Sequence, residues 1–552
     1  MIYLLSHILD RSAEQFPDHE AFRCEGQALT YAELSRRANG LAHWLIEQGV
    51  QRGDRVGIYL SKSLETAIAV YGIWRAGAAY VPLDPHAPIA RTAQAINHCG
   101  IRHLVTQKSR RSRLPDLLQA SAGEHRSPLQ YVVGLPDDMT LAEVRGHCDW
   151  AALPESDTPP TIQVMEQDLA YIMYTSGSTG TPKGIMHTHR SGLNYARMAA
   201  HTYDLHHGDR LGNHSPLHFD MSTLDYFSGP LVGATTVIIP AAYTKMPASL
   251  SQLVQDQALT IWYSVPFALI QLLLRGVLAE RDLSSLRWVL FGGEPYPAKY
   301  MYALMQHLPQ ARFSNVYGPA EINQCSYYHV PPLAADAPVP EEVAPIGQIW
   351  PNAEELVVDE ADQPVTPGTI GELLVRTPTM MTGYWQQPEL NERVFYRCSV
   401  AHQRAVFYRT GDLVQQRPDG NYQFIGRKDR QIKTRGYRIE LDEVEAALVE
   451  LPQVEAAAAY AVPYEAGSHQ IEAAVIPKPD VTLAEADLKR QLGERLPAYA
   501  IPQKIAIAAT FPRTSSGKID RRTLQLQAMA RIPSTTSNLP SSAIKPYQES
   551  TL

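Results

Sequence analysis

Cysteine is scarce in this chain: five in 552 residues, Cys24, Cys99, Cys148, Cys325 and Cys398, with no C-x-x-C pair among them. Such spacing supplies neither a disulfide framework nor a zinc site and suits a reducing cytosol. Long apolar runs are missing too, since no stretch reaches the ~18 residues a membrane span needs. The opening segment from Met1 to Arg11 lacks the basic region of a signal peptide and turns charged at Asp10. It reads instead as an amphipathic helix. There is no excess of positive charge either: the formal net charge is −8, which argues against a nonspecific nucleic-acid or membrane-surface binder. No internal repeat is visible. A soluble, cytoplasmic protein with neither nucleic acid nor membrane as partner is expected.

What the chain does have is length and apolar content. At 552 residues with 45% hydrophobic and 19% charged side chains, it exceeds what one core supports, so two or more domains are expected. Apolar residues three and four apart predict helices over Leu34–Leu45 and Glu65–Tyr71. Buried strands are predicted at Arg55–Leu60, Thr235–Ile239, Trp288–Phe291 and Glu372–Val375. This alternation predicts α/β layers with largely parallel sheets through roughly the first four hundred residues. Near Gly426 the texture changes to a charged stretch bracketed by glycines, Gly426 to Gly436, as at a domain junction. Beyond it a helix (Asp442–Leu448) and strands near Ala456–Val462 and Gln470–Val475 make up a small second domain. The expected division is a core over 1–428, a mobile subdomain over 429–530, and a disordered Ser/Thr/Pro-rich tail over 531–552.

One stretch carries chemistry openly. After the apolar run Leu169–Met173 comes Tyr174-Thr175-Ser176-Gly177-Ser178-Thr179-Gly180-Thr181-Pro182-Lys183-Gly184, with three glycines, five Ser/Thr hydroxyls and a lysine. Glycines let backbone wrap an anion, hydroxyls donate hydrogen bonds, and lysine adds a point charge. This is the composition of a loop closing over nucleotide phosphates. It is not a Walker A loop, because Pro182 precedes the lysine and Gly184 follows it. By contrast, His187-Thr188-His189 lacks a third and fourth metal ligand and reads as an ordinary polar segment.

Four further motifs follow in order: Asn315-Val316-Tyr317-Gly318-Pro319-Ala320-Glu321, Tyr408-Arg409-Thr410-Gly411-Asp412-Leu413, Gly426-Arg427-Lys428-Asp429, and Pro512 to Arg521 with the core Ser515-Ser516-Gly517-Lys518-Ile519-Asp520. Together with the loop they resemble the adenylate-forming superfamily of amino-acid adenylation domains, acyl-CoA synthetases and luciferases. The likeness runs from about residue 5 to residue 525. Within it, Gly77-Ala78-Ala79-Tyr80-Val81-Pro82-Leu83-Asp84-Pro85 and Phe219-Asp220-Met221-Ser222 resemble the amino-acid adenylation branch. The resemblance implies the family's fold, α/β in class: a large N-terminal domain of layered sheets and helices plus a small mobile α+β C-terminal domain.

The resemblance also implies roles. ATP would be held by Thr175, Ser176, Gly177, Ser178, Thr179, Gly180, Lys183, Asn315, Gly318, Asp412 at the ribose, Arg427, and Tyr317 near adenine. Lys518, Glu321 and Thr175 would be catalytic, with Lys518 bridging carboxylate and α-phosphate and Glu321 ligating Mg²⁺. Asp220 would pair with a substrate ammonium, in a pocket walled by Met221, Leu224, Tyr263, Val289, Phe291, Val316, Gln324 and Cys325. A helix N-cap is the plainer reading of Asp220. The pocket resembles that of free-standing proline-activating enzymes. L-Proline is therefore the expected substrate, with alanine, valine or another small amino acid as alternatives. Ala320 departs from the family's threonine, and losing one hydroxyl contact costs about 1 kcal/mol of nucleotide binding. No G-G-x-S segment follows Lys518, so the aminoacyl group is expected to pass to the phosphopantetheine of a separate carrier protein. The setting implied is natural-product biosynthesis, with Asp429 as the hinge of the small domain. Two alternatives stay open: an acyl- or aryl-CoA ligase, and a catalytically silent homologue.

Overall fold

The computed structural model describes residues 1–122, 128–136, 141, 144–177, 182–334, 337–400, 402–464, 468–514 and 518–531. Three sheets make up the large domain. The first has eight strands, with Arg55–Ile58, Ala79–Pro82, His103–Val105, Tyr131–Val133 and Gly146–Cys148 running parallel. Leu169–Thr175 joins Ala79–Pro82 in parallel and pairs antiparallel with Lys183–Thr188. The second has nine strands, and at its centre Arg210–Asn213, Thr235–Ile238, Ile261–Ser264, Trp288–Gly292 and Arg312–Tyr317 are parallel neighbours. These central strands are short and almost wholly buried, as parallel strands covered on both faces must be.

Helices separate the two sheets. Tyr31–Glu47 begins with a capping box, in which Thr30 accepts from the Glu33 amide and the Glu33 carboxylate accepts from the Thr30 amide; two orphan donors are thereby satisfied. Leu64–Arg75 buries every residue except Glu65, the signature of a helix enclosed between layers. The first helix is Ser6–Gln15, in the segment predicted amphipathic. No helix among the described residues is long and apolar enough to cross a membrane.

The third sheet corrects one expectation. Residues 354–427 do not continue the parallel α/β pattern but form five antiparallel strands, including Ile370–Arg376, Gln403–Gln416 and Tyr422–Arg427. Gln403–Gln416 and Tyr422–Arg427 are separated by five residues, which allows only antiparallel pairing, since a parallel pair needs a crossover of a dozen or more residues.

Beyond it, the hairpin Gln431–Thr434 and Tyr437–Glu440 leads into Leu441–Val449 and a three-stranded sheet, Val454–Pro463, His469–Pro477 and Lys504–Ile507. Helices Glu485–Leu492 and Arg521–Met529 complete this small α+β unit, which has its own apolar core around Val444, Leu448, Ile471 and Leu488. Of the tail expected to be disordered, all but Arg531 lies outside the described residues.

Candidate active site

A cavity of about 170 Å³ opens where the first two sheets, the loop after Thr175 and the small domain meet. The strand Leu169–Thr175 delivers the loop, and pairing of Thr175 with Lys183 closes it at the base. Ser178, Thr179 and Gly180 lie outside the described residues. Ser176 and Lys183 turn their polar ends to the small domain: Ser176 Oγ donates to the Arg438 carbonyl at 3.0 Å and Lys183 Nζ to Glu440 Oε1 at 3.4 Å.

Glu321 is fully buried. Its carboxylate accepts from Tyr384 Oη at 2.7 Å and from Arg438 Nη1 at 2.9 and 2.7 Å. Burial alone would raise its pKa, but Arg438, Tyr384 and Lys183 outweigh burial and hold it at about 2. The group is thus a permanent anion with a cation on it, which fits a divalent-metal ligand chemically. Asp412 accepts from Tyr317 Oη at 2.5 Å and from Arg427 Nη1 at 2.5 Å. Arg427 also grips Asp429, Nε to Oδ1 at 2.6 Å, next to the expected hinge. Gly411 makes this cluster possible: its φ is +71° and a Cβ there would stand 2.7 Å from Arg427 Nη2.

Asp220 is half-buried and faces the cavity beside Met221, Tyr263, Val316 and Gly293. Among the described residues its Oδ1 accepts only from the adjacent Met221 amide, at 3.0 Å. That is not the N2 or N3 contact of a capping side chain, so the N-cap reading fails. Among the described residues no cation comes within ion-pair distance of it. Burial pushes its pKa up to about 6; the more distant charge of Lys433 lowers it and that of Glu321 raises it. A short π-helix, Leu224–Ser228, follows directly, the kind of irregularity that occurs at functional sites.

The expected pocket wall needs correction. Met221, Tyr263 and Val316 line the cavity, but Val289 and Phe291 belong to the core on the opposite face of their strand. Side chains alternate along a strand, so a register one residue off presents the wrong face. The other face of the strand carries Leu290, which packs in the same core as Val316 and Leu224, and Gly292, while Gly293 at its end lines the cavity. A Cβ at Gly292 would meet the Val316 carbonyl oxygen at 2.2 Å and lie 3.5 Å from Tyr263 Oη. Leu224 and Cys325 are buried behind the wall. Gln324 donates from Nε2 to Tyr203 Oη at 2.8 Å, while its buried Oε1 has no partner among the described residues.

Other expected residues also divide. Gly318 lines the cavity. Tyr317 turns inward to Asp412 rather than onto the wall. Asn315 donates to the carbonyls of Ala344 and Pro345. Lys518 is exposed, its carbonyl accepting from the Thr514 amide at 2.8 Å, and does not reach the cavity. His187 is neutral, with burial lowering its pKa to about 4, and its Nε2 donates to the Ala320 carbonyl at 2.8 Å.

Residues not singled out from the sequence fill the gap. Lys433, Gly436, Tyr437 and Arg438 of the small-domain hairpin line the cavity, with Arg91 and Tyr499 at its rim. Arg91 and Glu443 form an ion pair across the domains at 2.5 Å, and Tyr437 stacks on Tyr499 with ring centroids 3.9 Å apart. The sequence signal was present as the charged stretch between Gly426 and Gly436, which spacing alone reads as a junction.

Comparison with known proteins converges on one family. The AMP-binding enzyme profile matches residues 9–385, and the AMP-binding enzyme C-terminal domain profile matches residues 443–518. An L-proline--[L-prolyl-carrier protein] ligase of Pseudomonas fluorescens is 34% identical over 530 residues, covering 95% of this chain and 99% of the relative. A dimodular nonribosomal peptide synthase of Bacillus subtilis is 33% identical over 523 residues, 93% of this chain but only 21% of that much longer protein. Among solved structures, the amide bond synthetase McbA from Marinactinospora thermotolerans superposes with a TM-score of 0.82 at 25% identity, covering 94% of this chain and 99% of that one.

Proposed function

The chain belongs to the AMP-binding enzyme family, and from that premise we propose that it is an AMP-forming ligase that activates a small neutral amino acid, L-proline first. The aminoacyl adenylate then passes to the phosphopantetheine thiol of a separate carrier protein. The observation that carries the substrate class is Asp220: a half-buried, cavity-facing carboxylate with one backbone hydrogen bond and, among the described residues, no cation within ion-pair distance. Such a charge is costly unless paired, and a substrate ammonium supplies the pair. A fatty or aryl acid would leave it stranded. Tyr263 and Gly292 limit the room beside it, which favours a compact side chain such as a pyrrolidine. The proline-carrier ligase, similar over nearly its whole length, supports the same choice.

Within this reading the two anionic reactants are brought together by fixed charges. Lys183 and the hydroxyls of the loop from Thr175 receive the phosphates of ATP, and Asp412 accepts from the ribose, kept in place by Tyr317 and Arg427. Glu321 would hold Mg²⁺, which would supply charge neutralisation at the leaving pyrophosphate. Lys518 joins the site for adenylation and leaves for thioester formation, and Asp429 lies at the pivot. With Lys518 exposed and the 431–440 hairpin in the cavity, the small domain stands in the arrangement of the second step.

ATP–pyrophosphate exchange across a panel of amino, aryl and fatty acids tests the proposal. Exchange with proline, or with another small amino acid, is expected. Exchange with a fatty or aryl acid alone overturns the substrate class and leaves an acyl-CoA ligase.

A further inference from the structure

Asn323 stands where three segments of the site meet. It follows Glu321 by two residues, is 6% exposed, and holds a φ of +60°, a left-handed conformation that asparagine tolerates better than most side chains. Both ends of its amide are engaged: Oδ1 accepts from Thr223 Oγ1 at 3.2 Å, and Nδ2 donates to Tyr171 Oη at 3.3 Å. Thr223 in turn closes the turn that carries Asp220. Its amide and its hydroxyl both donate to the Asp220 carbonyl, at 2.9 and 2.6 Å. Tyr171 lies on the strand Leu169–Thr175 that delivers the phosphate loop. The Tyr171 ring stacks on His187 with centroids 4.8 Å apart, and His187 Nε2 donates to the Ala320 carbonyl at 2.8 Å. The residues around Glu321 are thus pinned on both sides, by His187 before it and by Asn323 after it. Gly318 leaves the room for this: a Cβ there would stand 2.3 Å from the Asn323 carbonyl oxygen. A buried polar side chain with both ends satisfied specifies one geometry.

We propose that Asn323 is a positioning residue for adenylation, fixing the Asp220 turn against the Glu321 loop and the phosphate strand so that the two reactants are held at a set separation. This rests on the reading above, in which Asp220 receives the ammonium, Glu321 the magnesium and the loop from Thr175 the phosphates. Thr223 and Asn323 are 100 residues apart in the chain, so their contact ties together segments that sequence leaves independent. The carboxylate oxygen bonds to the α-phosphorus as the bond to pyrophosphate breaks, and Asn323 touches neither atom. In-line attack needs the reacting atoms about 3–3.5 Å apart and aligned, and a misplacement of about 1 Å costs on the order of 100-fold. Binding either reactant alone makes no such demand, because each keeps its own ligands. Loss of the Asn323 side chain therefore falls on the chemical step and spares affinity.

Asn323→Gly tests this in the full-length protein, since glycine keeps the left-handed backbone without strain. With the best acid of the exchange panel, it is expected to lose roughly 10-fold or more in kcat, while KM for the acid and for ATP moves less than about 3-fold. Tyr171→Phe and Thr223→Val cut the same chain and should fall the same way; Thr223→Ser, which keeps the hydroxyl, should regain most of the rate. Adding Tyr171→Phe to Asn323→Gly should cost less than about 2-fold more, because the link is already broken. Thermal melts check folding, and Tyr171→Phe, which removes one oxygen, carries the test if Asn323→Gly melts early. Unchanged kcat in these variants overturns the proposal, as does a loss carried by KM or an equal loss in Thr223→Val and Thr223→Ser. A second measurement needs no acid. Magnesium–ATP, by fixing the Glu321 loop, should slow hydrogen exchange of amides 220–224 about 5-fold or more in the parent, the low end of ordinary coupling between sites, and far less in Asn323→Gly. The same response in both overturns the proposal. A panel that answers only to a fatty or aryl acid would sink the substrate reading and leave both comparisons standing.

Discussion

Asp220 costs the empty protein stability, and the sign of that cost can be followed with pH. Its carboxyl titrates at about 6 when folded and near the usual ~3.9 when unfolded. Below about pH 4 both states are protonated and the group contributes nothing to the balance. As pH rises towards 6 the unfolded chain releases its proton first, so stability falls, by up to roughly 3 kcal/mol at about 1.4 kcal/mol per pKa unit. Above pH 6 the deficit is constant. Asp220→Asn should therefore be no more stable than the parent at pH 4 but more stable at pH 8, as read from denaturant midpoints. The same variant should lose roughly 100-fold or more in exchange, since a buried charge without its partner costs several kcal/mol. Tyr263 acts through volume instead. Tyr263→Ala is expected to admit larger aliphatic amino acids and to lower proline exchange about 10-fold or more, as an emptied aromatic site loses packing; an unchanged selectivity ratio in the exchange panel would show that Tyr263 does not bound the substrate.

Among the elements, the strand Trp288–Gly292 and the hairpin of the small domain were the hardest to read. The strand itself was legible from its apolar run, and so were the helices at Tyr31–Glu47 and Leu64–Arg75, because periodicity reports burial directly. Which face of the strand meets the pocket was not, since residues buried on both sides carry no alternation. Leu290 and Gly292 thus replaced Val289 and Phe291. The hairpin posed the opposite problem: its charges signalled exposure, yet Lys433 and Arg438 are interior to the crevice. Besides Glu321, a second carboxylate ties it to the large domain. Glu294 accepts from the Phe267 amide at 2.9 Å and from the Gly436 amide at 3.4 Å, and a Cβ on Gly436 would stand 2.6 Å from Val265 Cγ1. Glu294→Gln is expected to slow thioester formation about 10-fold while affecting exchange less, because a hydrogen bond to a charged group contributes roughly 1.5–3 kcal/mol. Single-turnover transfer compared with exchange checks that split; equal losses would mean Glu294 serves only the large domain.

For the whole molecule, the question is which face of the small domain serves which step. Lys518 lies exposed, away from the cavity that Lys433, Gly436 and Arg438 line. Lys518→Ala should reduce exchange by roughly 100-fold or more, the scale of one lost charge at a developing transition state, yet spare transfer from supplied prolyl adenylate. Equal loss of both would remove Lys518 from the first step. Sequence by itself pointed to the family and the α/β plan, and singled out the glycine- and hydroxyl-rich loop and the carboxylates Asp220, Glu321 and Asp412 as candidates, because each is written as a local pattern of residue types that chemistry fixes at short range. Only the tertiary structure decided that no cation among the described residues comes within ion-pair distance of Asp220, that Gly292 rather than Phe291 lies on the strand face shared with Tyr263 and Val316, and that Arg438 reaches Glu321. Those facts depend on distances between segments a hundred or more residues apart and on which side of a buried strand a residue falls, quantities that no local pattern encodes.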